Sequence, residues 1–195
     1  MPLRRVCVFC GSSVGRRPEY RESAEALGHA LAARGIELVF GGGRVGLMGV
    51  VADAVLARGG HAIGVIPEAL VAREIAHQHL PDLRIVGSMH ERKATMANLS
   101  DAFIALPGGF GTFEEFCEVV TWTQLGLQRK RCGLLNVLGF YDPLLALVDR
   151  AIADSFIKPA NRDLIVAATN PDALLADLAR PLDAPVAIWI TVDET

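Results

Sequence analysis

Residues 101–115 read DAFIALPGGFGTFEE, a short apolar run followed by a glycine-rich turn and the start of a helical pattern. Short apolar runs bounded by turn residues are typical of strands buried on both faces of a parallel sheet. Glycine lets a backbone approach a ligand closely, and the free amides at the start of a helix favour an anion. This stretch therefore predicts a strand, a phosphate-binding turn, and a helix whose first turn carries carboxylates.

The rest of the chain repeats the alternation of strand and helix. Helical patterns begin near Pro18 and after Gly46, and they end near Gly35 and Gly59. The tail after about residue 160 suits a closing helix and strand. The pattern predicts an α/β fold, a doubly wound, Rossmann-like parallel sheet flanked by helices on both faces, within a single nucleotide-binding domain over residues 1–195. The predicted strands lie near residues 5–10, 36–40, 61–66, 83–87, 101–106 and 132–137.

Composition limits the classes of partner. A chain of 195 residues with 51% hydrophobic residues can bury the core of one domain. The net charge of −3 gives no broad basic surface of the kind that nucleic acid requires. The apolar run near the start is too short for a signal peptide or a membrane span. We therefore expect a cytoplasmic protein with neither nucleic acid nor a membrane as its partner.

Cys7 and Cys10 form a C-x-x-C pair, which invites a metal or disulfide interpretation. Both lie in the first predicted strand, and Cys117 and Cys132 offer no second pair at zinc spacing. A buried thiol often serves as a small apolar side chain. We expect buried thiols here and no metal ion.

Three glycine-rich turns follow three of the predicted strands, at residues 11–15, 41–49 and 107–111. In an open parallel sheet, ligands bind beyond the carboxyl ends of the strands, where all three turns must lie. Any one turn could be a tight connection that needs glycine only for its geometry. Together they favour a binding crevice that includes Gly11, Ser12 and Gly43.

The middle turn supports an alternative function. Gly41, Gly43 and Gly46 satisfy the G-x-G-x-x-G spacing of dinucleotide-binding proteins, and Glu68 lies where a ribose-binding acid would be expected. That fingerprint normally follows the first strand of its unit, whereas this one follows the second. A dinucleotide-dependent oxidoreductase stays open as the less favoured alternative.

A buried arginine is predicted on the helix that starts after Ser88. Ser88 and Glu91 form a capping box, and helical spacing places Arg92 on the same face as Met89 and Met96. An inward guanidinium needs an anionic partner, which could be a ligand's phosphate, a catalytic acid or a structural carboxylate. Lys93 either adds a second positive charge there or is a solvated surface lysine.

Glu115 is the candidate catalytic acid. The apolar stripe of its helix, which includes Phe113 and Phe116, points away from Glu115, so the carboxylate lies at the ligand end of the helix and could perform chemistry there. A structural alternative exists, because Thr112 and Glu115 also have the spacing of a capping box. In that case the glutamate would only bond the backbone at Thr112.

Together, residues 41–49, 89–93 and 107–115 resemble the Lonely Guy family of cytokinin-activating enzymes. The likeness runs from about Val6 to Ile157 and includes residues 7–13 and 134–141. Several long motifs in the same order make a chance similarity improbable.

The resemblance implies a phosphoribohydrolase that acts on adenosine 5′-monophosphates, including N6-modified ones, and releases the free base and ribose 5-phosphate. It implies no cofactor and a small-molecule nucleoside monophosphate as the partner. Which base is preferred stays open. The catalytic pair would be Arg92 and Glu115, and the substrate-binding residues would be Glu74, Lys93, Gly108, Gly109, Gly111, Thr112 and Thr121.

Members of this family are typically homodimers with active sites near the subunit interface. Val119 and Trp122, expected on the exposed side of their helix, would suit such an interface. Family members have also carried the label lysine decarboxylase. That chemistry usually needs pyridoxal phosphate on a Schiff-base lysine, and the sequence has no recognisable site for it.

A protein of another class stays open beside the enzyme. A non-catalytic carrier of a nucleotide or of the molybdenum cofactor, built on the same fold, would keep the glycine-rich turns. It would not need both Arg92 and Glu115, so their joint presence favours the enzyme.

Overall fold

A computed structural model describes residues 3–71, 76–77 and 80–182, which contain seven strands and seven α-helices. Short 3₁₀ helices lie at Val137–Gly139 and Pro159–Leu164. The strands are β1 Arg5–Phe9, β2 Glu37–Phe40, β3 Ala62–Pro67, β4 Asp82–Val86, β5 Ala102–Ala105, β6 Cys132–Leu135 and β7 Ile165–Ala168. The helices are α1 Pro18–Ala33, α2 Gly46–Ala57, α3 Glu68–Val71, α4 Met89–Leu99, α5 Phe110–Leu125, α6 Asp142–Ala153 and α7 Pro171–Leu178.

The strands form one parallel sheet in the order β4-β3-β2-β1-β5-β6-β7. The chain builds outward from β1 to β4 on one side, then returns to the other side of β1 with β5. The strand order therefore reverses between β1 and β5. In doubly wound sheets this reversal opens a crevice beyond the carboxyl ends of the two central strands.

Two apolar layers cover the sheet, which confirms the predicted doubly wound α/β fold. Side chains of α1, α2 and α7, including Leu27, Val51 and Leu174, pack on one face. Met96 of α4 and Phe116 of α5 pack on the other face, with α6 beside them. The central strands β1 and β5 are buried on both faces, which explains their continuous apolar sequences.

All six predicted strands are present, with their ends within two residues of the predicted positions. Pro18 occupies the start of α1, as expected for a residue whose missing amide is not needed there. The tail prediction is confirmed up to residue 182, because β7 and α7 close the sheet. Within the described ranges, no helix has the length and apolar character that a membrane span requires.

Candidate active site

The turns after β1 and β5 meet at the point where the strand order reverses. The Gly11 amide donates a hydrogen bond of 3.1 Å to the Pro107 carbonyl, and the Leu47 amide donates one of 3.0 Å to the Gly11 carbonyl. All three predicted glycine turns therefore converge, because residue 47 belongs to the middle one. This contact defines the floor of the crevice.

A cavity of about 310 Å³ opens above this floor. Its walls come from the ends of β1 and β5 and from the first turns of α2, α3, α4 and α5. Seven predicted site residues belong to its lining: four at the start of α5, Arg92 on α4, and two in the turn after β1. The lining consists of Cys10, Gly11, Ser12, Met48, Leu70, Met89, Arg92, Gly109, Phe110, Gly111, Thr112, Glu114 and Glu115.

The glycines of the 107–111 turn serve two different purposes. A Cβ atom at Gly108 would overlap the hydroxyl of the buried Thr112, so Gly108 is required by the fold itself. A Cβ atom at Gly109 or Gly111 would meet no described residue within 4 Å. The fold does not need glycine at these two positions, and the open space lies at the amino end of α5. This is the space that an anion on the helix amides would fill.

The structural alternative for Glu115, a capping box that starts at Thr112, is wrong, because α5 begins three residues earlier than that interpretation requires. Gly109 is the N-cap, and Thr112 occupies the third position inside the helix. Glu115 is therefore beyond the position from which a capping-box glutamate reaches back. Its carboxylate faces the cavity instead.

Tyr141, a buried residue that precedes α6, supports the 107–111 turn. Its hydroxyl donates a hydrogen bond of 2.6 Å to the Leu106 carbonyl, directly before Pro107. The Tyr141 amide in turn donates to Asn136 Oδ1 at 2.8 Å. Burial, the largest cause, raises the pKa of the Tyr141 phenol well above its usual value, so the hydroxyl stays protonated and remains a donor.

Arg92 is buried on α4, as its helical spacing predicts, and it is only 6% exposed. The predicted helix start at Ser88 is confirmed, because Ser88 Oγ accepts a hydrogen bond of 3.1 Å from the Glu91 amide; the Glu91 carboxylate accepts one of 2.7 Å from the Gly87 amide. Arg92 Nη2 donates to the Gly41 carbonyl at 3.3 Å. A Cβ atom at residue 41 would overlap the same nitrogen, so glycine is required there for the guanidinium to reach the cavity.

Arg92 and Glu115 face the same cavity from different helices, and their charges act on one buried thiol. Burial is the main reason that the pKa of Cys10 is raised well above its usual range. The negative charge of Glu115 adds to this rise, and the positive charge of Arg92 opposes it. The residues that the sequence predicts as a pair are thus brought to one place by the fold.

Two further glycines of the middle turn, Gly43 and Gly46, contact other parts of the chain. Gly46 has a φ of 60°, and a Cβ atom there would overlap the backbone of Ser12. Gly43 forms an isolated antiparallel bridge with Ala76, and it is absent from the cavity lining. Packing therefore requires glycine at residue 46, and Gly43 does not line the cavity, so the G-x-G-x-x-G spacing gives little support to a dinucleotide-dependent oxidoreductase.

Four predicted substrate-binding residues are absent from the lining of this cavity, namely Gly43, Lys93, Gly108 and Thr121, and a fifth is not described. Lys93 Nζ donates hydrogen bonds to Glu114 Oε1 at 2.6 Å and to Glu118 Oε1 at 2.9 Å. Thr121 lies farther along α5, where its hydroxyl donates to the Cys117 carbonyl at 2.7 Å. Glu74 lies outside the described residues.

The expectation that Val119 and Trp122 occupy the exposed side of α5 is wrong. Val119 is 3% exposed and belongs to the core, and Trp122 is half-buried against that core. α5 packs on β1, β5 and β6, so this side of the helix faces the sheet.

A second cavity of about 310 Å³ adjoins the first and shares Gly11, Ser12 and Gly109 with it. Its outer wall contains Tyr20 and Phe140, whose rings meet edge to face at 5.9 Å. A larger cavity of about 700 Å³ lies at the opposite end of the strands. The charged groups there pair with one another, since Arg5 bonds Glu37, and Asp101 accepts from the Arg4 and Arg5 amides.

Sequence reasoning missed several residues that shape the site. The sequence gives Gly41 a place in a glycine-rich turn, a dinucleotide fingerprint and a family motif, and Tyr141 a place in a family motif, but it assigns neither residue a role in the site. Met48 and Met89 also line the cavity, which gives it apolar walls. The available signal for Gly41 was the inward arginine on α4, but nothing in the sequence pairs residues 41 and 92.

The four cysteines are free thiols, and three of them are buried, as the interpretation of the C-x-x-C pair predicts. Among the described residues, no three side chains of histidine, cysteine, aspartate or glutamate come together as metal ligands would.

Comparison with known proteins shows which family the chain belongs to. Residues 48–178 match the family model described as "Possible lysine decarboxylase". The chain is 57% identical to the probable cytokinin riboside 5'-monophosphate phosphoribohydrolase LOGL9 of Oryza sativa subsp. japonica, over 90% of this chain and 78% of that protein. It is 53% identical to the cytokinin riboside 5'-monophosphate phosphoribohydrolase LOG7 of Arabidopsis thaliana, over 90% of this chain and 81% of that protein.

Solved structures extend the likeness of fold. The molybdenum cofactor carrier protein MCP of Chlamydomonas reinhardtii matches with a TM-score of 0.66 over 89% of this chain and 94% of that one, at 18% identity. The molybdenum cofactor binding protein of Rippkaea orientalis matches with a TM-score of 0.63 over 88% and 93%, at 20% identity. At these identities the likeness concerns the fold alone. The sequence relatives are far closer, and the chain therefore belongs to the Lonely Guy family, the family of cytokinin riboside 5'-monophosphate phosphoribohydrolases.

Proposed function

We propose that the chain is a hydrolase that cleaves the N-glycosidic bond of adenosine 5′-monophosphates, with or without a substituent on N6. The products are the free base and ribose 5-phosphate. The reaction consumes one water molecule, whose oxygen bonds C1′ of the ribose while the bond from C1′ to the base breaks. The departing base nitrogen carries away a proton.

One observation carries this proposal. A guanidinium, a carboxylate and the amino end of a helix line the same cavity, through Arg92, Glu115 and the 109–111 segment. A nucleoside monophosphate combines an anionic phosphate with a ribose that becomes positively charged during cleavage. The cavity supplies a complementary group for each part.

The phosphate is assigned to the amides at the start of α5. These amides lack partners within the helix, and the helix dipole adds to their attraction for an anion. The open space beside Gly109 and Gly111 lets the phosphate approach the backbone. Ser12, which lines the same cavity, adds a hydroxyl from the opposite turn.

The ribose C1′ is assigned to the neighbourhood of Glu115. Its carboxylate would stabilise the oxocarbenium-like transition state and accept a proton from the attacking water. Arg92 would hold the carboxylate ionised, because a nearby positive charge favours the charged form of an acid. The rigid position of Arg92 supports this role, since its side chain is buried and bonded to the Gly41 carbonyl.

The relatives support the same reaction. Proteins more than 50% identical over about nine-tenths of this chain are named as cytokinin riboside 5'-monophosphate phosphoribohydrolases. The description "Possible lysine decarboxylase" of the family model has no counterpart in the described lining of this cavity. The cavity lining contains no lysine that could form a Schiff base.

The test is incubation of the purified protein with AMP and with N6-isopentenyl AMP, followed by chromatography of the products. We expect free base and ribose 5-phosphate in equal amounts. Recovery of intact nucleotide after tight binding would instead support the carrier alternative, which shares the fold. The ratio of kcat/KM for the two substrates measures which base is preferred.

We further propose that the chain is a single nucleotide-binding domain, that it is cytoplasmic and that it forms a homodimer.

The feature that supports a homodimer is helix α6, in which no residue is fully buried. Leu147 on this helix is 65% exposed, and Leu144 and Val148 line an apolar groove against α5. Light scattering should give twice the mass of the chain, and Leu147→Glu should shift the protein toward the monomer.

A further inference from the structure

Lys93 connects the two helices that carry the proposed catalytic pair. It lies on α4, and its ammonium donates hydrogen bonds to Glu114 and Glu118 on α5, at 2.6 and 2.9 Å. The Lys93 side chain is only 11% exposed, and that of Glu118 is 25% exposed. The Lys93–Glu118 ion pair is therefore not a solvated surface contact of the weak kind, whereas the side chain of Glu114 is 56% exposed.

Lys93 and its partner Glu114 are the sequence neighbours of the two proposed catalytic residues. Lys93 directly follows Arg92, and Glu114 directly precedes Glu115. The cross-helix bond thus joins the immediate neighbours of the two proposed catalytic residues. Any shift of α4 relative to α5 would change the separation of the Arg92 guanidinium and the Glu115 carboxylate.

The negative charges of Glu114 and Glu118 stabilise the charged form of Lys93. Burial acts to lower the pKa of Lys93, but the hydrogen bonds and charges of Glu114 and Glu118 outweigh it and raise the pKa. Lys93 therefore stays charged at neutral pH. Lys93 is also absent from the lining of the cavity, which holds its neighbours Arg92 and Glu114.

We propose that Lys93 is a positioning residue, which sets the distance between Arg92 and Glu115 by clamping α4 to α5, and that it does not bind the substrate directly. This inference rests on the proposed function for its catalytic readout. Loss of the clamp should reduce the rate of the chemical step, because misplaced catalytic groups act mainly on kcat.

The experiment compares four variants with the wild type. Lys93→Met removes the charge and keeps the length of the side chain, and Lys93→Arg keeps the charge. Glu118→Gln weakens the same clamp from the other helix, at a residue outside the cavity lining. The double variant K93M/E118Q tests whether the two changes act on one interaction.

A clamp predicts a specific pattern. K93M should lower kcat for AMP hydrolysis by about tenfold or more and change KM by less than about threefold. E118Q should lower kcat in the same manner, and K93R should restore most of the rate. The double variant should be no slower than K93M, because a broken interaction cannot be broken again.

Direct contact with the phosphate predicts a different pattern. In that case K93M would weaken AMP binding about tenfold or more, whereas E118Q would leave both binding and kcat unchanged. Either of these results would overturn the proposal. AMP affinity is measured by calorimetry on the same variants, where the clamp predicts values within about threefold of the wild type.

The two readouts separate this inference from the proposed function. A wild type that binds AMP but does not hydrolyse it overturns the proposed reaction, while the affinities still test direct contact by Lys93. A wild type that hydrolyses AMP at a rate that neither K93M nor E118Q changes overturns the clamp alone. A wild type that does neither overturns both.

Discussion

The Arg92 guanidinium lies against the backbone of Gly41, which is 51 positions away in the sequence. The guanidinium donates to the Gly41 carbonyl at 3.3 Å, and a side chain at residue 41 would occupy the position of the guanidinium nitrogen. Because β2 ends directly before Gly41, the sheet itself sets the place of the arginine. The backbone at the end of β2 thus helps to position the buried charge.

Gly41→Ala should therefore disable the site without unfolding the protein. The added methyl group displaces Arg92, and we expect kcat for nucleoside monophosphate hydrolysis to fall by about 100-fold, as for the loss of one preorganised electrostatic group. Circular dichroism and the activity assay measure the two effects. Gly87→Ala is the matched control, since its Cβ atom would approach only the tip of the Glu91 side chain. Full activity in the Gly41→Ala variant would contradict this account.

Glu115→Gln should separate binding from chemistry. The amide keeps the size of the carboxylate but cannot accept a proton from water, so we expect kcat to fall by about 1000-fold. AMP affinity should stay within about threefold, measured by calorimetry. Glu22→Gln on the exposed face of α1 controls for the loss of one negative charge. Unchanged turnover in Glu115→Gln would refute its catalytic assignment.

Gly111→Ala should make the protein more stable and bind phosphate less well. Gly111 lies inside α5, where alanine stabilises a helix by about 0.5–1 kcal/mol relative to glycine. Its methyl group would enter the open space at the amino end of the helix, and we expect ribose 5-phosphate to bind about tenfold more weakly, as for one lost hydrogen bond to a charged group. Urea denaturation and calorimetry give the two values. Unweakened binding would show that the phosphate lies elsewhere.

Tyr141→Phe should loosen the support of the phosphate-binding turn. The buried Leu106 carbonyl would lose its 2.6 Å hydrogen bond from the phenol, which we expect to cost about 1–2 kcal/mol of unfolding free energy. Urea denaturation measures the loss. Tyr20→Phe removes a hydroxyl from a half-buried tyrosine of the neighbouring cavity, and its effect should stay within about 0.5 kcal/mol. Equal effects of the two variants would count against the anchoring role.

Thiol chemistry should distinguish Cys117 from the other cysteines. Burial raises the pKa of Cys132 to about 12 and also raises those of Cys7 and Cys10. At pH 8 these three thiols are both covered and protonated, so they should react with Ellman's reagent only after unfolding. Cys117 is exposed, and one thiol per chain should react in the native protein. Cys117→Ser should abolish that reaction; two reactive thiols in the native wild type would show that a second cysteine is open to solvent.

The sequence allowed the sheet to be predicted because local and global signals agree. Apolar runs such as residues 102–106 are buried on both faces, so they read as strands without alternation. The helix starts at Pro18 and Ser88 were also predictable, since capping depends on neighbouring residues alone. The capping-box spacing of Thr112 and Glu115 would start α5 three residues too late, because the true N-cap, Gly109, has no side chain that marks it in the sequence.

By itself, the sequence determined the alternation of elements, the glycine turns at the strand ends, the inward direction of Arg92 and membership of a family. These features follow from periodicity and local chemistry. Only the tertiary structure decided that Gly41 makes room for Arg92, that Tyr141 supports the turn after β5, and that Lys93 is held by Glu114 and Glu118. The physical reason is that each of these contacts joins residues from different elements, and their meeting depends on how the helices pack on the sheet.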